Sequence, residues 1–396
     1  MQKLNILISH TSVYKKSGWG RIFPLAKGLA KQGQQVTIIT TNTNFSLFTK
    51  RKIIDNVNII IFPEIIPSRV SRMGFGFLSL FLEMLHVVFH KYDVVQSDNG
   101  HRPLAGMPCR LSKRLHKSVY VAEWYDWYGK GGQYDTKKKL FKILLGWYEL
   151  KYEIKDKKVA DGVVVLSEVL RERAKTFKTE DKIVKIHGGA DVLSIPFVKE
   201  NSVLKLKYDI DEDTLTFGYI NAKGFNISEV LPLANAIINN NESMKIKILI
   251  FGDSQIDFSI LPQKFREHIV SFGWVDFSKD YEKLLCVDVF FLFKKEDLRS
   301  KAGWPNCIGD YIACGRHILI DPVGEVIDFA KKYSFPFIMT SKSEIDIWAK
   351  VKYIAKEIAS LKEERIMIRK LAEDVISWES KSKELLSFYL YLLEHG

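Results

Sequence analysis

Short runs of β-branched and aliphatic residues alternate with longer amphipathic segments along the whole chain, and the alternation stops and restarts once. In the first half the runs fall at residues 4–9, 35–40, 57–62, 92–97, 118–124, 161–167 and 182–186. Near-continuous apolar runs of this length suit strands buried on both faces of a parallel sheet, with helices as the crossovers. Residues 21–31 illustrate a crossover: Leu25, Leu29 and Ala30 lie near helical spacing, and Gly33 stops the helix. A polar, charged stretch at 199–213 interrupts the pattern. New runs then follow at 214–220, 245–252, 269–275, 287–293, 317–321 and 335–339. The tail keeps helical spacing over 347–373 and 381–393. The expected fold is α/β: two doubly wound, Rossmann-like domains in tandem with a hinge at 199–213. A length of 396 residues suits two domains.

Composition narrows the function classes. Hydrophobic residues are 46% and charged residues 27%, which excludes a disordered chain. The net charge of +12 predicts an anionic partner: nucleic acid, a phospholipid surface or a phosphorylated small molecule. The lysines are dispersed along helical segments and no nucleic-acid-binding motif is present, so a nucleic-acid partner is not expected. Cys109, Cys286, Cys307 and Cys314 form no C-x-x-C pair and no zinc pattern, so no metal site is expected and a reducing cytoplasm fits. No secretory signal opens the sequence. The most apolar stretch, 73–90, is interrupted by Glu83 and His86 and reads as a helix with a broad apolar face. Two accounts of it stand. A core helix would cover Phe75, Phe77 and Phe81. A helix resting on an anionic leaflet, with Arg69 and Arg72 before it, would expose several of them and make the protein peripheral on the membrane.

Open parallel sheets bind ligands at the C-terminal ends of their strands, so strand ends are the places to look for chemistry. After the first strand, Gly18 and Gly20 flank Trp19 ahead of a helix, where a backbone can approach an anion closely. A dinucleotide fingerprint is incomplete there, and a plain turn is the equal alternative. The strand at 118–124 delivers Glu123 and then Asp126 among four aromatics. Carboxylates there face the cleft and aromatic faces pack against sugar rings, and a surface loop with an aromatic staple is the alternative. Gly188 and Gly189 in HGGAD allow a tight reversal at the lip of a cleft, or an ordinary turn before the linker.

In the second half, Lys223 and Gly224 lie just beyond a strand, where a lysine can neutralise a diphosphate, and a solvated surface lysine is the usual alternative. Gly252 and Asp253 end the next strand, where a carboxyl contacts a base or caps a helix. Residues 298–321 hold the densest constellation. Arg299 and Lys301 precede a Pro-Asn turn at Asn306, then a short helix runs from 308 to 313 with Gly309 and Asp310 in its first turns. A carboxylate there suits ribose hydroxyls, and helix-start N–H groups suit phosphate oxygens. An acidic residue placed for the helix dipole is the bland alternative. The acidic run 209–213 lacks the glycine and glutamate of a calcium loop, having Thr214 and Ile220 at those positions. No P-loop and no nucleophile elbow occur.

These features, taken in order, resemble the retaining glycosyltransferases of the GT-B fold that use nucleotide-diphosphate sugars (glycosyltransferase family 4-like). The ordered set comprises the Gly18–Gly20 turn, the strand end reaching Asp126, VADGVVVLSEVLRERA at 159–174 and HGGAD in place of the usual Asn-Gly-x-Asp. The strand and loop of 218–224, FGD at 251–253, GDYIACGRH at 309–317 and the final helical segment at 377–393 complete it. The resemblance implies an N-terminal acceptor-side domain over 1–198, joined by a C-terminal helix at 378–396 that crosses back to it. A donor-binding domain would span 214–377. Two departures stand out. The family's paired glutamates become Ala302 and Asp310, and the arginine after the glycine at 218 becomes Tyr219.

The resemblance implies a hexosyltransferase-like enzyme that moves a sugar from a nucleotide-diphosphate donor to a hydroxyl of a glycan, polysaccharide or lipid-linked acceptor. The configuration would be retained, and no cofactor and no metal would be needed. Gly18, Gly20, Glu123 and Asp126 would serve catalysis and the acceptor, with Gly188 and Gly189 as a cleft loop. Lys223, Gly252, Asp253, Arg299, Lys301, Asn306, Gly309 and Asp310 would hold the donor. Ala302 favours the alternative, a non-catalytic GT-B-like subunit that binds a sugar nucleotide or glycan. The location implied is cytoplasmic, in polysaccharide biosynthesis.

Overall fold

The computed structural model describes residues 3–16, 18–221, 227–241, 243–252, 263–275 and 280–395. Contacts divide the chain into two units. The first comprises Met1–Gly188, Asp297–Trp304 and Trp378–Gly396, and the second Gly189–Glu296 and Pro305–Ser377.

The first unit is built on an eight-stranded sheet: β1 (Asn5–Val13), β2 (Gln35–Thr41), β3 (Lys50–Ile54), β4 (Val57–Phe62), β5 (Val94–Ser97), β6 (Val119–Trp124), β7 (Gly162–Val165) and β8 (Ile183–Lys185). Its order is β3-β4-β2-β1-β5-β6-β7-β8. All neighbours are parallel except β3, which runs antiparallel to β4. The alternation along β1 divides the core. Leu4, Ile6 and Ile8 pack with Leu25 and Leu29 of the helix Trp19–Lys31 and with Leu385 and Tyr389. Leu7 joins Ile39, Val95 and Tyr120 on the other face, under Val87 and Cys109.

β3 carries no apolar alternation, which is why sequence patterning passes over it. Four of its five residues are exposed. A two-residue turn makes it a strand: Asp55 and Asn56 both take positive φ, 49° and 62°, as a type I′ hairpin requires.

The helix Trp378–His395 belongs to the first unit and lies along Trp19–Lys31. Gly28 permits the approach, because a Cβ there would fall 3.3 Å from the Trp378 carbonyl oxygen and collide with the Ser382 side chain. The Tyr389 hydroxyl donates to Gln96 at the end of β5.

The apolar stretch at 73–90 forms a helix over Phe77–Phe89. Its burial is inverted. Ser79, Glu83, His86 and Val87 face inward, whereas Phe77 and Phe81 are 71% and 63% exposed. Phe75, just ahead of the helix, is covered. Ser79 and His86 are anchored, whereas neither Glu83 carboxyl oxygen has a hydrogen-bond partner among the described residues. The Ser79 hydroxyl donates to the Pro63 carbonyl at 2.8 Å, the Ser79 N–H donates to Glu64 at 3.2 Å, and His86 Nε2 pairs with the Tyr92 hydroxyl at 2.8 Å.

The second unit holds a parallel six-stranded sheet: β9 (Leu215–Asn221), β10 (Ile246–Gly252), β11 (Ile269–Gly273), β12 (Val289–Leu292), β13 (His317–Ile320) and β14 (Ile338–Met339), in the order β11-β10-β9-β12-β13-β14. Phe217, Ile248, Ile250 and Phe291 meet Leu233 and Ile237 of the helix Ile227–Asn240 and Val351 and Ile354 of the helix Glu344–Leu371. Beneath β12, Asp288 is buried and kept ionised by Lys205 at 2.6 Å and Arg365 at 3.2 Å. These cations, with hydrogen bonds from Asn201 and Thr216, more than offset burial and hold its pKa below the usual value. Among the parallel strands of each sheet the chain order reverses once, between β1 and β5 in the first and between β9 and β12 in the second. Doubly wound sheets open a crevice at such a reversal.

Candidate active site

At the reversal of the first sheet, β1 and β5 end side by side. The Asp98 carboxyl follows β5 and is fully buried. Its Oδ1 accepts the Thr11 N–H at 2.9 Å from the end of β1. Its Oδ2 accepts no hydrogen bond among the described residues and lies 3.7 Å from His10 Nε2. The Thr40 hydroxyl donates to the Ser12 carbonyl at 3.0 Å, so it accepts from His10 Nδ1 at 2.9 Å, and Nδ1 carries the proton. Burial, reinforced by the charge of Glu123, raises the Asp98 pKa well above the usual carboxylate range.

Gly18 closes over this carboxyl. It precedes the helix Trp19–Lys31 with a left-handed φ of 86°. A Cβ there would stand 2.7 Å from Asp98 Oδ2 and 3.3 Å from the Tyr125 hydroxyl. That hydroxyl accepts the Asn99 side-chain amide at 2.7 Å. Gly18, Asp98 and Tyr125 therefore converge on one point at the strand ends. Gly20 lies away from it, exposed, with no atom within 4 Å of where its Cβ would be.

Glu123 is fully buried. Arg21 donates to it through Nε at 3.2 Å and also donates to the carbonyls of His187 at 2.9 Å and Ile186 at 3.1 Å. The pair ties the first turn of the helix Trp19–Lys31 to the ends of β6 and β8, which is a positioning task. Asp126 is half-buried, with its carboxyl 3.5 Å from where a Cβ on Gly303 would stand. The aromatics around it are engaged within the protein. Arg173 stacks at 3.7 Å over Trp127 and 4.7 Å over Trp124 while pairing with Glu153 at 2.8 Å. Tyr128 covers His101 with ring centroids 4.3 Å apart. Burial and nearby cations hold the His101 pKa well below the usual value, so the ring is neutral.

The segment Asp297–Trp304 groups with the first unit. Asp297 caps the short helix Leu298–Ala302 by accepting the Ser300 N–H at 2.8 Å. Ala302 is fully buried with Trp124, Tyr128, Val163, Val165 and Leu170, and its carbonyl accepts the Ser167 hydroxyl at 2.6 Å. Arg299 is exposed and Lys301 half-buried. Gly188 ends the first stretch of the first unit and Gly189 opens the second unit.

In the second unit, Asn221 ends β9 and Lys294 follows β12, on either side of the reversal. Lys294 Nζ lies 3.1 Å from Glu229 Oε1. Glu229 Oε2 accepts the Tyr219 hydroxyl at 2.7 Å, and that hydroxyl accepts the Asn221 amide at 2.9 Å. Tyr219 thus faces a carboxylate inside the unit. Gly252 ends β10 against the Asn221 carbonyl. Lys223 and Asp253 lie outside the described residues. Asp310 is half-buried in the first turn of the helix Cys307–Ala313, and burial pushes its carboxyl up to about 7. The neighbouring Tyr311 hydroxyl accepts the Ile220 N–H at 3.0 Å, fixing this helix to the end of β9. Gly309 is buried beside the Gly189 carbonyl, and Asn306 is exposed.

Sequence reasoning did not nominate Asp98, His10, His101, Arg21 or Lys294. A signal existed for two of them. Asp98 stands one residue beyond the run at 92–97 and Lys294 one beyond 287–293, where the strand-end rule applies.

Comparison with known proteins bears on this arrangement. Residues 21–192 match the model of Glycosyltransferase Family 4. Over its full length the chain superposes on sucrose-phosphate synthase from Thermosynechococcus elongatus, with 13% identity, 100% of each chain covered and a TM-score of 0.73. The fold is that of the GT-B glycosyltransferases. HepE from Anabaena in complex with UDP-glucose superposes with a TM-score of 0.68 and 9% identity over 97% of this chain and 98% of that one. WaaG, a glycosyltransferase involved in lipopolysaccharide biosynthesis, gives a TM-score of 0.65 at 13% identity over 96% of this chain and 99% of that one. At such identities these likenesses show the fold alone. No curated protein matches the chain in sequence. The family match and the fold together support a glycosyltransferase.

Proposed function

We propose that this GT-B chain transfers a sugar from a nucleoside-diphosphate donor to the hydroxyl of a glycan, polysaccharide or lipid-linked acceptor, with retention and without a metal. The observation that carries the reading is the buried Asp98 carboxyl, whose Oδ2 accepts no hydrogen bond among the described residues, set beneath the Gly18 turn at the sheet reversal. It lies within the stretch that matches the family. HepE, bound to UDP-glucose, supports a nucleotide sugar as donor.

In a front-face transfer the bond from the anomeric carbon to the diphosphate oxygen breaks on the face where the acceptor oxygen bonds. The acceptor's proton passes to the departing phosphate oxygen. The barrier is dominated by charge developing on the diphosphate, so fixed cations and hydrogen-bond donors supply most of the catalysis. Among the described residues Lys294 is a cation at the reversal of the second sheet, and Lys223, Arg299 and Lys301 are the further candidates. Asp310 suits the ribose hydroxyls, with Gly252, Asp253, Asn306 and Gly309 around the nucleoside. On the acceptor side Asp98, whose burial favours the protonated form, bonds a sugar oxygen beside Gly18, with Gly20 further out on the exposed side of the same helix start. Asp126 accepts from a hydroxyl, while Glu123 positions Arg21. Gly188 and Gly189 follow the His187 carbonyl that Arg21 holds, and are the loop residues of this proposal.

Incubation with UDP-, GDP- and ADP-sugars, with and without glycan acceptors, tests the reading. Asp98→Asn and Asp126→Asn should lower turnover about a hundredfold while leaving nucleotide affinity within about threefold. Activity should survive EDTA. Affinity lost with turnover at saturation intact would reverse the assignment of roles. Activity that EDTA abolishes and manganese restores would refute the metal-free mechanism.

A cytoplasmic location at the membrane face belongs to the same proposal. Among the described residues no helix is long and apolar enough to cross a membrane.

A further inference from the structure

The helix Phe77–Phe89 is turned the wrong way for a globular protein. Half a turn about its axis would bury Phe77 and Phe81 and release Glu83 to water. Instead Glu83 is fully buried, and the hydrogen bonds of Ser79 and His86 lock the helix with its aromatic side outward. A local arrangement that works against burial, yet is held by several bonds, marks a surface kept for a partner.

The exposed apolar surface extends beyond this helix on both sides. On one side Glu64 links the helix to the loop after β2. It accepts the Ser79 N–H through its side chain, while its carbonyl accepts the Ser46 N–H at 3.3 Å. That loop and its neighbour present Phe45, Leu47, Phe48 and Ile65 to solvent. On the other side Phe75 packs edge-on against Phe141, with centroids 6.2 Å apart, and the Arg102 guanidinium lies 5.4 Å over one ring and 5.5 Å over the other. The segment beyond Phe141 exposes Ile143, Leu144 and Trp147. The three stretches 43–52, 65–82 and 136–147 contain lysines and arginines and not one Asp or Glu. Lys50, Arg51, Arg69, Arg72, Lys138 and Lys139 are exposed.

We propose that this surface rests on an anionic phospholipid leaflet, with the aromatic groups entering the interface and the basic groups meeting the headgroups. Charge decides the occupant. A second copy in two-fold contact would set like-charged rims against each other, whereas an anionic bilayer complements them. The loops concerned follow β2 and β4 at the C-terminal edge of the first sheet, the edge that carries Gly18 and Asp98. Docking would therefore hold that edge at the lipid surface, where a lipid-linked acceptor is presented. Only this last consequence rests on the transfer reading.

Flotation with vesicles tests the proposal. The full chain should bind phosphatidylcholine vesicles containing about one third phosphatidylglycerol far better than phosphatidylcholine alone, and salt should weaken binding. Phe77→Ser with Phe81→Ser should weaken binding about tenfold or more, as should Lys138→Glu with Lys139→Glu. Both pairs are at the surface, so unfolding midpoints should match the parent. No binding to the anionic vesicles at low salt would overturn the proposal, as would binding undiminished in both variants. So would a chain that ignores vesicles yet sediments as a dimer that Phe77→Ser with Phe81→Ser dissociates, which would assign the face to a second copy. Calorimetry with nucleoside diphosphates on the same samples separates the two readings. Vesicle binding without nucleotide binding sinks the transfer reading and supports this one.

Discussion

Gly18 and Asp98 are 80 residues apart in sequence and nearly touching in space, since a methyl group on Gly18 would lie 2.7 Å from Asp98 Oδ2. The same glycine holds a φ of 86°, where a side chain is strained. Gly18→Ala should therefore destabilise the chain by only about 1–2 kcal/mol yet reduce transfer about a hundredfold, because the carboxyl must move. Chemical denaturation and initial rates measure the two effects. A loss of activity no larger than the loss of folded protein would separate Gly18 from the chemistry.

If Asp310 holds the donor as proposed, binding should depend on pH through this carboxyl. Its folded pKa of about 7 lies above the ordinary 3.8, so the folded chain holds a proton that the unfolded chain releases in between. Its contribution is fully present below about 4, declines as pH rises to about 7, and is flat above that. Asp310→Asn should remove this slope and gain about 1–2 kcal/mol over the parent at pH 8, a modest figure because the group is half-buried. Unfolding free energies of both proteins at pH 5 and pH 8 provide the check. Asp310→Ala should weaken nucleoside-diphosphate binding about tenfold. Affinity of the parent should rise through about pH 7, since the ionised carboxylate accepts more hydrogen bonds.

Ala302 occupies the position where the resembled family carries a glutamate, and here it sits in an apolar cluster with Trp124 and Leu170. Ala302→Glu should not improve donor binding. It should destabilise the chain by about 3–5 kcal/mol, because the new carboxylate would be buried in an apolar cluster where Arg173, over Trp124, is already paired with Glu153. A stable variant with tighter nucleotide-sugar affinity would show that the segment has another arrangement.

Gly28 and Ser382 meet where the helix Trp19–Lys31 and the helix Trp378–His395 approach closely. Gly28→Ala should destabilise by about 1–3 kcal/mol. Adding Ser382→Gly should recover a measurable part of that loss, since the clash involves both the hydroxyl and Cβ of Ser382. A double-mutant cycle with no coupling would refute the contact.

Most of the architecture was legible because the strands are buried on both faces and read as unbroken apolar runs. β3 was not, for Lys50, Arg51 and Lys52 face water and only the Asp55–Asn56 turn marks the hairpin. The inversion of Phe77–Phe89 was also hidden. Its spacing shows where the apolar side is, and only the contacts of Ser79 and His86 show which way that side points. Among site residues, strand ends were readable and partners were not. Glu123 was visible as a carboxylate at a strand end, but its engagement by Arg21 depends on residues 102 positions apart. Asp98 was overlooked although it obeys the rule applied to Glu123. The sheet order that singles out the ends of β1 and β5 is a property of the folded chain.

The first unit is assembled from three separated stretches, and the third, Trp378–Gly396, is made only after the whole of the second unit. While the ribosome is still adding the second unit, the side of Trp19–Lys31 that Leu385 and Leu386 will cover stands open to water. Synthesis thus imposes a waiting period on an exposed apolar face, during which chaperones and proteases compete with folding. A stop codon at Trp378 would leave the second unit whole and the first one unfinished, so loss of this helix would be felt at Leu25, Leu29 and the strand β1.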